Sequence, residues 1–320
     1  MWASTHLSLL SKHTESRLSY WCTLPPPSSP KDHHIKMASF AEIHKSPYAA
    51  LANAISGNPL AGKVILITGA GRGVGEHITH QMAIAGAKRI GLIGRDEPRI
   101  LAARDKFAKA YTGITFEAFA ADITDEEAIH AVFESIGAPD ILINNAGTFS
   151  DDGPFVEQNL KAWWTGFETN ILGTAIVTQQ FLRNKPKGKT AVVLNVTSMG
   201  AHMRFPLAGF SGYNGSKIGQ VRIFESIRFE HPEVRFINIH PGNIQSDGFV
   251  KSKSPVPRDG MTDGVVTGHF LVWLISEEAD FLSGRFVWAE WDIDELKAKK
   301  TEILEQNLLL TTIDGFKNGF

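Results

Sequence analysis

The sequence predicts an α/β fold, a mostly parallel sheet with helices on both faces. Three observations carry this. From Lys63 onward, short apolar, β-branched runs alternate with amphipathic stretches of helical length, the pattern of repeated βαβ units. A glycine-rich turn joins the first such run to the first helical stretch. No linker or internal repeat interrupts residues 63–290, so the pattern reads as a single domain.

Seven strands are expected, at 64–68, 89–93, 114–119, 141–143, 192–196, 235–239 and 285–288, with helical segments between them. In Thr124-Asp125-Glu126-Glu127 the Thr hydroxyl and the Glu carboxylate can satisfy amides that a helix start leaves unpaired. This capping box starts a helix near Asp125. Residues 292–295 repeat the arrangement ahead of Leu296, Ile303 and Leu304, which predicts a C-terminal amphipathic helix. The domain is therefore drawn over 61–320, behind an N-terminal extension over 1–60.

Within that extension, residues 1–36 run through a Pro25-Pro26-Pro27-Ser28-Ser29-Pro30 tract with little hydrophobic periodicity and are expected to be disordered. Their Ser and Arg content resembles an organelle transit peptide, although Glu15 interrupts it; the alternative is that Met37 is the true start. Abundant native peptides from before Met37 in mass spectrometry would reject that start.

Composition narrows the function. Of the 320 residues, 43% are hydrophobic and 21% charged, as in ordinary soluble globular proteins. Lys plus Arg number 32 against 34 Asp plus Glu, a net charge of -2 that argues against a nucleic-acid partner. The longest apolar runs are strand-sized, far below the roughly 20 residues of a membrane span, so a soluble, cytoplasmic protein is expected. A single cysteine, Cys22, excludes an intramolecular disulfide and fits a reducing compartment. The histidines form no paired helical motif, and no metal is expected.

The glycine turn reads Thr68-Gly69-Ala70-Gly71-Arg72-Gly73-Val74-Gly75. Glycines there let the backbone approach a pyrophosphate, while the helix N-terminus offers free amides and partial positive charge. A phosphate-bearing cofactor on a Rossmann-type, doubly wound sheet is the natural expectation, and a glycine-rich turn without a ligand is the competing reading. The second strand ends Ile93-Gly94-Arg95-Asp96, where a strictly NAD-specific site usually has an acidic residue at the place of Gly94. Arg95 and Arg72 can instead form charge-assisted bonds to a 2′-phosphate. NADP(H) is expected over NAD(H), and solvated surface arginines are the competing reading.

Gly69, Gly73 and Gly75 follow the spacing TGxxxGxG, and with it the chain resembles the classical short-chain dehydrogenases/reductases over nearly the whole of residues 60–290. The resemblance implies that Asp122 and Ile123 hold the adenine, Val74 lines the pyrophosphate turn, and Asn145, in Asn144-Asn145-Ala146-Gly147, shapes the sheet edge or touches cofactor. Ile244, in Pro241-Gly242-Asn243-Ile244, would contact the carboxamide through its backbone, with Ser246 standing for the family's threonine. Residues 247–260, bearing Pro255 and Pro257, would be a mobile lid.

Tyr213-Asn214-Gly215-Ser216-Lys217 sets a phenol and an ammonium one helical turn apart. Reducing a ketone needs a proton for the developing alkoxide, and a phenol near pKa 10 must come down by about 3 units, roughly 4 kcal/mol, to supply it at neutral pH. The resemblance makes Tyr213 the proton-transfer residue, Lys217 its electrostatic tuner and ribose ligand, and Ser198 the polariser of the substrate oxygen. Asn170 would support a water relay through Lys217 from a kinked helix. Ser198 precedes Tyr213 by fifteen residues, about two more than is usual in the family, and the difference is expected in the loop over 199–210, where it would alter the shape of the pocket.

Trp163, Trp164, Phe205, Phe210 and Phe249 are candidates for an aromatic substrate pocket, with core or subunit contact as the alternative. The whole implies an NADP(H)-dependent carbonyl reductase or alcohol dehydrogenase acting on a small molecule. The 37–40 opening and the 281–291 tail resemble fungal reductases of specialised metabolism. The family forms homodimers or homotetramers, and Gly212, Gly215 and Gly219 are candidates for close subunit packing. An inactive dinucleotide sensor and an NAD-dependent dehydrogenase stay open; an extended-type epimerase would have a TGxxGxxG turn and a longer C-terminal part.

Overall fold

The computed structural model describes residues 40–150, 153–203, 208–252 and 260–313. The extension 1–36, the start at Met37, Phe205, Pro255 and Pro257 lie outside the described residues. The unit that holds the described fold is Ala41–Phe320.

Seven strands form one parallel sheet, in the spatial order β3-β2-β1-β4-β5-β6-β7. They are β1 Val64–Thr68, β2 Arg89–Gly94, β3 Thr115–Ala120, β4 Ile141–Asn144, β5 Ala191–Val196, β6 Val234–His240 and β7 Phe286–Trp288. The expected strands agree with these to within a residue or two. Strand order reverses between β1 and β4, which opens a crevice at the carboxyl ends of the strands there.

One face is covered by α4 (Glu126–Ile136), α6 (Thr174–Asn184) and α7 (Ser211–Glu230). The core on that side joins Leu66, Leu142, Val193 and Phe236 of the sheet to Ile129, Phe133, Val177, Phe181 and Phe224 of the helices, all essentially buried. Side chains alternate along a strand, so Ile65 and Ile67, equally buried, point to the opposite face. There α2 (Gly73–Ile84) packs against α9 (Gly264–Ile275). Helix α3 (Glu97–Ala110) borders β2 and β3.

The predicted caps shift slightly. Asp125, not Thr124, caps α4 by accepting from the Ala128 amide, because Thr124 spends its hydroxyl on Asp122. Asp292 does cap the C-terminal α10 (Ile293–Ala298), but Glu295 accepts from the Glu42 amide rather than reaching back, and a break at Lys299 starts α11 (Lys300–Glu305).

The compact unit begins at Ala41, ahead of the boundary expected at 61. Helix α1 (Ala49–Ala54) buries Leu51 completely and packs on α9 and α10. Ile43 bridges Trp291, and His44 stacks on Tyr48 while meeting Asp292 at 2.9 Å. These ties are too short and irregular for a sequence period to show them.

Gly212, Gly215 and Gly219 each face a neighbour within the chain. A Cβ on Gly212 would stand 2.6 Å from Trp163 Nε1, one on Gly219 2.9 Å from Ile171 Cδ1, and one on Gly215 3.2 Å from Phe167 Cζ. The stripe lets α7 lie against α5 (Leu160–Phe167) and the turn after it, within one chain.

Candidate functional site

A cleft of about 920 Å³ lies at the carboxyl ends of the strands, lined at one end by the glycine turn and at the other by Ser198, Tyr213 and Lys217. Every expected cofactor-binding residue lines this cleft, as do Ser198, Tyr213 and Lys217, whereas Asn170 is fully buried.

At the glycine end β1 ends in Thr68, whose hydroxyl accepts from the Asn145 and Ala146 amides at 3.0 and 2.9 Å. Asn145 Nδ2 in turn donates to the Thr68 and Gly69 carbonyls at 3.0 and 3.1 Å. Its amide nitrogen is therefore spent on clamping the turn to the end of β4. Gly69 has φ +66, and a Cβ on it would stand 2.9 Å from Ala146 Cα. Arg72, at the N-cap position of α2, gives the helix no side-chain cap. An uncapped helix start behind a glycine turn at a strand end is the cradle a dinucleotide pyrophosphate needs. The residues present fit that cofactor.

Beyond β2, Gly94 leaves no acid at the strand end, and a Cβ there would meet Ile100 Cδ1 at 3.2 Å. Asp96 turns away to cap α3 by accepting from the Arg99 amide. Arg72 and Arg95 both reach the cleft but are not lone cations: Arg72 pairs with Asp247 and Arg95 stands 3.5 Å from Asp122. Both pairs are solvent-exposed, and such pairs cost only about 0–1 kcal/mol to break. Arg99 lines the same end; the sequence reading missed it, although it lies one turn after Asp96.

Asp122 also caps its own loop, accepting from the Thr124 amide and hydroxyl at 2.9 and 2.8 Å. Burial works to raise its pKa, but the Thr124 bonds and Arg95 outweigh it and hold the carboxyl below the usual range. Ile123 is buried beside it, against Gly173.

The chemical end is built from three elements. Ser198 follows β5 and shares a hydrogen bond with Tyr213, while its Oγ accepts from the Gly200 amide at 3.1 Å. Tyr213 stands in the first turn of α7, its ring 5.4 Å from that of Phe149. Burial pushes the phenol above its ordinary pKa and the Ser198 bond pulls it back. The lowering expected from the motif is thus not a property of these two residues alone.

Lys217, one turn on, is 3% exposed. Its Nζ donates to the Val196 carbonyl at 3.2 Å and to Gln220 Oε1 at 3.1 Å, and lies 5.9 Å from the Tyr213 ring centre. Burial brings the ammonium down to about 8. Two of its three N–H groups are thereby spent.

Helix α5 runs into a π-helical stretch, Glu168–Gly173, at the place of the expected kink around Asn170. Asn170 Oδ1 accepts from the Thr148 amide at 2.9 Å, and its Nδ2 donates to the Thr148 carbonyl at 3.0 Å and Ser216 Oγ at 2.9 Å. The side chain is wholly engaged in tying the strand-β4 loop to α7. A Cβ on Gly147 would stand 3.2 Å from Asn170 Oδ1 and 3.3 Å from Lys217 Nζ.

The Pro241-Gly242 segment is held from behind: Thr262 Oγ1 accepts from the Asn243 amide at 3.1 Å and donates to buried Glu290 at 2.5 Å. Ile244 is buried there. Ser246 caps a short helix, α8 (Asp247–Lys251), accepting from the Phe249 amide at 3.2 Å. The first part of the expected lid is therefore helical, because Ser-Asp starts a turn that the proline count conceals; residues 253–259 lie outside the described ones. Phe149, Phe210, Met199, Met203 and Phe249 give this end an apolar lining. Trp163 and Trp164 do not reach it: they pack on Phe167 along α5, with Trp164 exposed.

A model of the short chain dehydrogenase family matches residues 63–256. A short chain dehydrogenase/reductase of Claviceps purpurea is 32% identical over 256 residues, 78% of this chain and 85% of that one. A short chain dehydrogenase of Monascus ruber is 30% identical over 270 residues, 78% and 87% of the two chains. Among solved structures, a 7α-hydroxysteroid dehydrogenase complexed with NADH and 7-oxo glycochenodeoxycholic acid superposes with TM-score 0.65 at 24% identity, over 76% of this chain and 97% of that. The L-sorbose reductase of Gluconobacter frateurii, complexed with NADPH and L-sorbose, gives TM-score 0.64 at 23% identity, over 72% and 95%.

Proposed function

The chain belongs to the short chain dehydrogenase family of oxidoreductases, which bind a nicotinamide dinucleotide, and from that premise we propose that it interconverts a carbonyl and a secondary alcohol with NADP(H). The observation that carries the reading is the convergence of Ser198, Tyr213 and Lys217 on one end of the cleft, with the cofactor cradle at the other. When bound, the nicotinamide supplies or accepts the hydride.

Ser198 donates to the substrate oxygen and polarises the carbonyl. Tyr213 delivers its phenolic proton to that oxygen as negative charge develops there. Lys217 directs its remaining N–H towards the ribose and lends its charge to the phenol; Asn170 holds the loop and helix on either side of it. Gly69, Gly73, Val74 and Gly75 hold the pyrophosphate, Asp122 and Ile123 the adenine, and Ile244 and Ser246 the carboxamide end. The clamp made by Asn145 keeps the turn in shape. Phe149, Phe210 and the two methionines suit an apolar, ring-bearing substrate, which we read as a specialised metabolite.

NADP(H) over NAD(H) rests on Gly94, Arg72 and Arg95. A 2′-phosphate would draw both arginines from their aspartates at small cost, since those pairs are exposed. Titrating the protein with NADPH and NADH by nucleotide fluorescence should show tighter NADPH binding, and Arg72→Ala with Arg95→Ala should weaken NADPH about tenfold while leaving NADH nearly unchanged. Equal loss for both nucleotides would assign the arginines to structure. No binding to either would sink the oxidoreductase reading.

Assembly as a homodimer or homotetramer is part of the same proposal. Leu160, Trp164 and Leu172 are each at least half exposed along α5 and the π-helical stretch, with Ile218 of α7 also exposed. A second copy burying this face removes that apolar area from water. Sedimentation velocity should give a dimer or tetramer, and Trp164→Glu with Leu172→Asp should give a monomer; a wild-type monomer would overturn it. Among the described residues no helix is long and apolar enough to cross a membrane.

A further inference from the structure

We propose that Gln220 is a positioning residue for Lys217, turning a buried chain of side-chain amides so that a carbonyl oxygen always faces the ammonium; this rests on the role given to Lys217 above. Gln220 follows Lys217 by three residues and Tyr213 by seven, so all three share one face of α7. It is 1% exposed. Its Oε1 accepts from Lys217 Nζ at 3.1 Å, while its Nε2 donates to Asn195 Oδ1 at 2.7 Å and to Thr174 Oγ1 at 3.2 Å. Asn195 Nδ2 continues the chain to Asn238 Oδ1 at 2.6 Å. Thr174, Asn195 and Asn238 are at most 2% exposed, so the chain crosses from α7 through β5 to β6 without reaching water.

The direction of the chain is the informative feature. An amide can be turned either way with little change of shape, but an ammonium only donates. Lys217 therefore obliges Gln220 to present Oε1, which points Nε2 at Asn195 and commits Asn195 to donate to Asn238. At the far end Asn238 Nδ2 is buried with no partner. Reversing all three amides would let Asn238 Nδ2 donate inward and would point the Gln220 Nε2 group at the ammonium. The unsatisfied donor is thus accepted at the end remote from the cleft.

Among the described residues no carboxylate acts on Lys217. Burial alone depresses it, and Gln220 with the Val196 carbonyl replaces the water it has lost. Around Nζ, Tyr213 is the titratable neighbour on α7; β5 presents Val196 and Asn195, the β4 loop Gly147 and the π-helical stretch Asn170, none of them ionisable. His240, at the end of β6, is held neutral by burial, at about 3.

The test uses two variants of the full chain, Gln220→Met, which keeps the volume and removes the amide, and Gln220→Glu, which keeps an acceptor and adds charge. The titration of Lys217 is followed by NMR of 13Cε-labelled lysine, assigned by loss of its signal in Lys217→Arg, beside the pH profile of kcat and the KM for NADPH. The wild-type midpoint is expected near 8. It should fall by about one unit or more in Gln220→Met, a tenfold change in the charged fraction at the alkaline side, and the alkaline limb of kcat should move with it. In Gln220→Glu the midpoint should rise, since the reversed amide chain can serve the carboxylate and satisfy Asn238.

Unchanged midpoints in folded Gln220→Met overturn the proposal. If Gln220→Met does not fold, a Gln220→Glu midpoint at or below the wild-type value does the same. Midpoints that move as stated in a protein that reduces no carbonyl with either nucleotide leave the anchoring of Lys217 intact and overturn the oxidoreductase reading instead.

Discussion

Tyr213→Phe is expected to lower kcat by about 10²–10⁴-fold, the range lost when a positioned general acid is removed, with NADPH affinity changed by no more than about twofold. The substitution deletes one oxygen. The ring keeps its place against Phe149, 5.4 Å away, and the Asn170, Ser216 and Lys217 bonds do not pass through the phenol. A large fall in kcat at constant nucleotide affinity therefore isolates the proton step.

The pH profile should separate this from a packing effect. Burial holds the Tyr213 phenol above its ordinary range, so in the direction of alcohol oxidation, where a phenolate must take the proton, rates should climb with pH. Lys217 must stay charged while the phenol gives up its proton, and it titrates at about 8, below the phenol, so the climb should level off as Lys217 loses its charge. Tyr213→Phe should abolish the rising limb. A variant that keeps more than about a tenth of wild-type kcat would remove Tyr213 from the chemistry.

How much of this was legible in the sequence differs by scale. The seven strands were readable because a parallel sheet buried on both faces leaves continuous apolar runs, such as 64–68 and 191–196, that no surface requirement interrupts. Asn170 and its kink came from the resemblance, not from any period. What stayed hidden depends on partners far apart in the chain. Arg72 meets Asp247 across 175 residues, and residues 42–44 tie to 290–295 across about 250. Gln220 was nearer the surface of the reading, three residues after Lys217, but a polar residue on a helix reads as solvent-facing until the helix has a sheet beneath it. Trp163 and Trp164 failed as pocket residues for the converse reason: an aromatic pair at a helix start fits a cleft, a core or a free face equally.

The glycine turn should obey an order that its spacing alone does not state: Gly75→Ala most damaging, Gly73→Ala intermediate, Gly71→Ala close to neutral. A methyl on Gly75 would fall inside contact of the Gly69 carbonyl and 2.6 Å from Asn145 Nδ2. Neither can yield, because that amide is the clamp between the turn and β4. Overpacking against backbone of this kind costs about 1–3 kcal/mol or more, a fall in Tm of roughly 5 °C, and it opens the turn that the pyrophosphate requires. Nucleotide binding should drop below detection. Gly73 carries φ +56 and its Cβ would meet Ser246 Cβ at 3.1 Å; a left-handed alanine costs about 1–2 kcal/mol, and Ser246 can shift. At Gly71 the nearest atom is Arg99 Cγ at 3.4 Å, on a flexible exposed side chain, and alanine should change Tm by less than about 2 °C. Fluorescence titration and thermal unfolding of the three variants measure both quantities. Gly75→Ala binding NADPH like wild type would mean that the turn does not hold the pyrophosphate, and the cofactor would have to be sought elsewhere in the cleft.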